Sequence, residues 1–106
     1  MVPKVMSNKV EGWKAWSTDL MEHVDSITPG MKEFLEQLGK LDDEPSPSFL
    51  QFYSGKIDIE MERVKMYRTL KKLTDGEAEK VVTAVKGEDG VEAWQRLVDN
   101  FEPALA

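Results

Sequence analysis

Residues Tyr67–Pro103 read YRTLKKLTDGEAEKVVTAVKGEDGVEAWQRLVDNFEP, and this stretch decides the fold class. It contains two helix-start patterns, Thr74–Glu77 and Asp89–Glu92, in which a polar cap residue precedes a glutamate by three positions. The apolar residues after each start recur at helical spacing, and Pro103 prevents the second helix from continuing. The stretch therefore predicts two consecutive helices and no strand.

The same periodicity predicts three more helices toward the N-terminus. In chain order the five predicted helices span about 10–25, 31–38, 57–73, 78–85 and 91–101. Thr28-Pro29 marks the start of the second helix and Gly39 its end. The sequence thus predicts an all-α protein, a compact bundle of about five helices formed by a single domain over residues 1–106.

Two segments lie outside these helices. Residues 1–9 show no clean period and are predicted to form an arm. Residues 41–48, LDDEPSPS, are acidic and contain two prolines that lack amide donors and restrict the residues before them, so a loop is predicted there. The apolar cluster at 49–53 that follows predicts one extra helical turn.

The apolar stripes also predict which residues form the core. The predicted core residues are Leu20, Val24, Phe34, Leu38, Val64, Leu70, Val81, Trp94, Leu97 and Phe101. The helix at 57–73 has apolar residues on two sides, with Ile57, Met61 and Val64 opposite the remainder. This pattern predicts a central helix with neighbours on both sides.

Composition narrows the class of protein. The chain has 14 Lys and Arg against 20 Asp and Glu, a formal net charge of −6, and no cysteine. An acidic chain is a poor default partner for nucleic acid, so the basic residues Lys65, Arg68 and Lys72 are interpreted as complementing a helix dipole. The lack of cysteine excludes disulfides and thiolate sites and fits a cytoplasmic protein. No apolar run approaches the ~18 residues of a membrane span, so a soluble protein without a membrane partner is predicted.

No residue pattern indicates catalysis. His23 is the only histidine and has no partners at metal-ligand spacing, while Asp42, Asp43 and Glu44 lack the spacing of a calcium loop. No nucleophile elbow or phosphate-binding glycine pattern is present. The sequence therefore predicts a protein that is not an enzyme and has no metal, no cofactor and no small-molecule substrate.

Two blocks of the sequence share their order and spacing with a known family. The first is Gly12-Trp13-xx-Trp16, and the second runs Leu73-Thr74-Asp75-Gly76-Glu77-Ala78, Val81-Val82 and Gly90-Val91-Glu92-Ala93-Trp94-xx-Leu97-xxx-Phe101. Together they resemble the capsid region of Gag polyproteins from copia-type LTR retrotransposons, or a domesticated relative. The middle of the chain, about 41–55, has no counterpart in the resemblance.

The resemblance implies an N-terminal capsid lobe, which is helical, lacks catalysis and assembles with copies of itself into a shell around the element's RNA. The expected partner is therefore a second copy of the chain, and any RNA contact is expected to be weak and to come through the parent polyprotein. The chain departs from a complete Gag because it has no cysteine for a zinc knuckle. It also ends just after Pro103, where a second lobe would begin, so it is interpreted as one lobe.

Self-association needs apolar residues outside the core. The candidate interface residues are Trp13, Trp16, Phe49, Phe52 and Tyr53, together with the arm at 1–9. Core packing is the competing interpretation for the tryptophans. Two other functions stay open at this point: a monomeric helical adaptor that binds a partner helix or peptide in a groove, and an enzyme or ligand binder, which would need a concave pocket with convergent polar groups.

Overall fold

The computed structural model describes residues 12–102, which form six α-helices and no strand. The helices are α1 (Trp13–Ile27), α2 (Met31–Gly39), α3 (Pro47–Ser54), α4 (Ile59–Lys72), α5 (Gly76–Thr83) and α6 (Gly90–Phe101). The predicted all-α class is confirmed, and the predicted number of about five is low by one. The predicted arm at 1–9 lies outside the described residues.

The additional helix is α3, which begins inside the segment that was predicted to be a loop. The Ser46 side chain accepts a hydrogen bond from the amide of Phe49 at 3.1 Å, and Pro47 is the first helical residue. A proline at this position costs nothing, because the amide it lacks would have had no partner in the helix. The loop therefore ends at residue 46, and the predicted single turn is a helix of eight residues.

Aspartates cap two of the other helices. Asp58 accepts a bond from the amide of Met61 at the start of α4, and Asp89 accepts bonds from the amides of Val91 and Glu92 at the start of α6. The cap predicted at Thr74 is wrong. The Thr74 hydroxyl donates to the carbonyl of Leu70 at 2.7 Å, back toward α4, and is therefore not available to α5.

Helix α6 lies at the centre of the packing. It packs most extensively against α4 and also contacts α5 and α2, while α1 packs on α2. Of the predicted core residues, eight are buried: Leu20, Val24, Phe34, Leu38, Leu70, Trp94, Leu97 and Phe101. Val64 and Val81 are only half-buried.

The prediction that α4 is apolar on two packed sides is wrong. Its buried residues, Ile59, Glu62, Met66, Tyr67 and Leu70, form one face toward the neighbouring helices. Met61, which was predicted to face the core, is 52% exposed. Ile57 is buried, but it precedes the helix rather than belonging to it. Helix α4 thus has one packed face and one face in solvent.

The folded chain has a Cα radius of gyration of 12.8 Å, close to the ~13 Å expected for a folded domain of about 100 residues. Among the helices in residues 12–102, none combines the length and the apolar character that crossing a membrane requires.

Candidate self-association surface

The three tryptophans lie inside the protein. The ring of Trp13 lies 5.5 Å from that of Trp16 and 5.6 Å from that of Trp94, measured between centroids, and Trp13 is 1% exposed. Its indole nitrogen donates to Glu102 Oε2 at 2.8 Å, and that of Trp94 donates to the carbonyl of Leu35 at 3.0 Å. The contacts of Trp13 join α1 to α6, and the hydrogen bond of Trp94 joins α6 to α2.

The interface roles predicted for Trp13 and Trp16 are therefore corrected, because buried rings cannot contact a second copy of the folded chain. Core packing, the competing interpretation, describes both residues. The indole N–H of Trp16 is buried and has no hydrogen-bond partner within residues 12–102.

Two of the three aromatic residues on α3 hold this helix against the core. Tyr53 is buried and meets Phe34 edge-on at 5.3 Å between centroids, and Phe49 is half-buried at 6.0 Å from Phe34. Burial raises the pKa of the Tyr53 phenol, and the Glu33 carboxylate raises it further. Tyr53 and Phe49 thus anchor α3, and the interface role predicted for Tyr53 is corrected in the same way.

Phe52 differs from its two neighbours. Its side chain is 70% exposed, and its recorded aromatic contact is with Tyr53 at 4.9 Å between centroids. Of the five candidate interface residues, Phe52 is the one that the structure places in solvent. A large aromatic side chain held in water by an anchored helix is a candidate contact for another molecule.

Two more large apolar residues are exposed, Ile27 at 65% and Met61 at 52%. Neither was among the predicted interface residues. Ile27 lies two residues past the predicted end of the first helix, and Met61 was assigned to the core. Periodicity alone could not have identified them, because it does not tell which side of a helix its neighbours cover.

A groove between α1 and α4 has a volume of about 240 Å³. Val24, Ile27 and Met66 supply its apolar surface. Lys65 and Arg68 lie along it with side chains 56% and 67% exposed. Glu62 also lines it, is nearly buried, and accepts a hydrogen bond from the Thr28 hydroxyl at 3.2 Å. We call this site the α1–α4 groove.

A second depression, of about 390 Å³, is bordered by α1, α2 and α6. Met21, Leu35 and Val98 contribute apolar surface, and charged residues such as Lys14 and Glu36 border it. We call it the α1–α2–α6 groove.

Across residues 12–102, no three side chains of the His, Asp or Glu type are grouped as metal ligands would be. Asp42, Asp43 and Glu44 are exposed in the loop before α3. Of the basic residues singled out on α4, Lys65 pairs with Glu62 and Arg68 with Glu88, each at 3.8 Å.

Comparison of the chain with protein-family models, with curated proteins and with solved structures finds no match. The features of this chain that bear on its function are therefore its helices, its exposed apolar residues and the two grooves.

Proposed function

We propose that this protein is a self-associating helical domain, similar to the N-terminal capsid lobe of a copia-type Gag polyprotein, that builds particle shells through contacts between copies. The observation that carries the proposal is the position of Phe52. It lies on a short helix whose other aromatic residues are anchored in the core, and its own ring is left in water.

The two blocks of sequence that carry the resemblance meet in space. Trp13 of the first block contacts Trp94 and Phe101 of the second, with centroids 5.6 and 6.1 Å apart. Gly90 of the second block lies against α4, where an added Cβ atom would come within 2.5 Å of the Tyr67 amide nitrogen. The residues that carry the resemblance are thus residues on which the packing depends.

Assembly by such a domain would use many weak contacts. Each copy carries a formal charge of −6, so two copies repel each other and a single contact is expected to be weak. Repetition in a closed shell would raise the effective concentration of each contact and make the whole assembly stable. The domain would act in the cytoplasm without catalysis, and any RNA would be held mainly by other parts of a parent polyprotein.

Sedimentation velocity over a concentration series tests the proposal. We expect the average mass to rise with concentration and larger particles to form under crowding. A chain that stays monomeric at every concentration, in both low and high salt, would contradict self-assembly.

The α1–α2–α6 groove favours one alternative function, a monomeric adaptor that binds a partner helix or peptide. Its apolar surface and charged border are the features that an amphipathic helix recognises. Under this alternative the chain stays monomeric, and Val98→Glu abolishes binding of the partner. If the protein instead self-assembles, its average mass rises with concentration.

A further inference from the structure

The exposed apolar side chain and the α1–α4 groove lie on different helices. Phe52 projects from α3, whereas the groove is lined by residues of α1, α4 and the turn after α1. Phe52 is not among the residues that line the groove of its own chain. A Phe52 ring that fills this groove must therefore come from another copy.

The size of the groove favours a single side chain over a metabolite. Its volume of about 240 Å³ is below the ~300–1,000 Å³ of small-molecule sites. Of its apolar lining residues, Val24 and Met66 are buried and Ile27 is exposed. Such a site suits one aromatic ring presented by a protein surface.

The carboxylate in the groove does not prevent this contact. Glu62 accepts a hydrogen bond from Thr28 and lies 3.8 Å from the ammonium of Lys65, so its charge is partly compensated. The edge of an aromatic ring carries partial positive charge and tolerates a neighbouring carboxylate.

The loop before α3 and the border of the α1–α4 groove carry opposite charges. The loop that leads into α3 carries Asp42, Asp43 and Glu44, all exposed, and within residues 12–102 these three form no ion pair. The groove is bordered by Lys65 and Arg68, and the 3.8 Å ion pair between Arg68 and Glu88 is exposed at both ends. Such a pair contributes little, so Arg68 can exchange partners at small cost, while Lys65 keeps its pairing with Glu62 and adds positive charge at the same border.

We infer that the copies associate head to tail, with Phe52 of one copy inserted in the α1–α4 groove of the next and the acidic loop facing Lys65 and Arg68. This inference rests on the proposed self-assembly and names the contact that produces it. Because the two surfaces differ, the contact is heterologous, and each added copy leaves one free Phe52 and one free groove. Repetition of this contact therefore produces a ring or a filament rather than a closed dimer.

Two variants test the contact from its two sides. Phe52→Ala removes the ring but keeps the groove, and Ile27→Glu damages the groove but keeps the ring. Both residues are well exposed, so the monomer is expected to fold, which circular dichroism and thermal unfolding will check. Met61→Ala and Met61→Glu are the matched controls, because Met61 is exposed but does not line the groove.

Each variant alone is expected to weaken association by at least about tenfold, as the loss of a central aromatic contact does. An equimolar mixture of the two still contains one intact ring and one intact groove, so sedimentation should show a 1:1 complex that grows no further. The Met61 controls should associate like the unchanged protein.

Three outcomes would overturn the inference. An unchanged protein that remains monomeric contradicts both the proposed function and the contact. If the unchanged protein assembles and either variant assembles equally well, only the contact is wrong. If both variants are impaired but mixing restores no complex, Phe52 does not bind in the α1–α4 groove and the head-to-tail contact is wrong.

Discussion

At the scale of single residues, α4 and α6 approach each other closely at Gly90, the first residue of α6. A Cβ atom placed there would lie 2.5 Å from the Tyr67 amide nitrogen and 2.7 Å from the Arg63 carbonyl oxygen. Both are backbone atoms of α4, which cannot rotate away as a side chain can. The absence of a side chain at this position therefore sets how closely α4 and α6 pack.

We expect Gly90→Ala to lower the free energy of unfolding by roughly 1–3 kcal/mol, because the two helices must separate to admit the methyl group. Urea denaturation measures the change. Gly55→Ala is the control, since its φ of −74° suits alanine and an added Cβ atom meets nothing within 4 Å. Equal stability of the two variants would show that the α4–α6 approach is not tight.

Ionisation of the Tyr53 phenol makes the stability of the protein depend on pH in the alkaline range. Burial, and then the Glu33 carboxylate, raises the pKa of its phenol above the usual value of about 10. A pKa that is higher in the folded than in the unfolded state gives stability that is complete below about pH 10 and is lost as the pH rises toward the folded-state pKa.

The Tyr53→Phe variant should therefore lose less stability than the unchanged protein between about pH 9 and pH 11. Urea denaturation at both pH values measures the two losses. Equal losses would mean that the phenol of Tyr53 does not contribute to the alkaline transition.

At the scale of helices, α5 and α6 both follow an aspartate N-cap, but only one aspartate bonds to its helix. Asp89 accepts from the amides of Val91 and Glu92 and also pairs with the Arg63 guanidinium at 2.7 Å. Asp75 makes no side-chain cap bond. The same residue type therefore has different roles at equivalent positions.

Asp89→Ala should destabilise the protein by about 1–2 kcal/mol, because it removes a cap and a half-buried ion pair together. Asp75→Ala, the matched control, should change stability by less than about 0.5 kcal/mol. Thermal or urea unfolding compares them. A control as damaging as the Asp89 variant would show that helix-end charge, rather than the cap bonds, accounts for the effect.

At the scale of the whole molecule, Trp13 joins the two ends of the described chain. It contacts Trp94 and Phe101, and its indole nitrogen bonds to Glu102, 89 positions along the chain. We expect Trp13→Ala to cost about 3–5 kcal/mol of unfolding free energy, which is much of the total stability of a small domain.

Phe52→Ala is the comparison for that variant, and it should leave the unfolding free energy within about 0.5 kcal/mol because its ring is exposed. Comparison of the two variants would then distinguish effects on stability from effects on association. Trp13→Ala impairs folding of the monomer, and Phe52→Ala impairs only association. A stable Trp13→Ala protein would contradict the central position assigned to that ring.

Much of the fold could be predicted from local features. The sequence shows the helical spacing of the apolar residues in α1, α2 and α6, and it shows Pro103, at which a helix is expected to stop. Both signals are local, because helical spacing and the geometry of proline act within a few residues. The start of α3 was misplaced because proline was treated as excluding a helix, although it is acceptable at the first helical position. Thr74 was misassigned because its hydroxyl had two possible backbone partners, and spacing does not choose between them.

The amino-acid sequence by itself determined that the protein is helical and acidic and that Trp94, Leu97 and Phe101 share one face of a helix. Tertiary structure alone decided that Trp13 is enclosed, that Ile27 and Met61 are exposed, and that a groove opens between α1 and α4. The reason is physical. Helix formation follows from neighbours within about four positions, whereas burial depends on which distant helix covers a face.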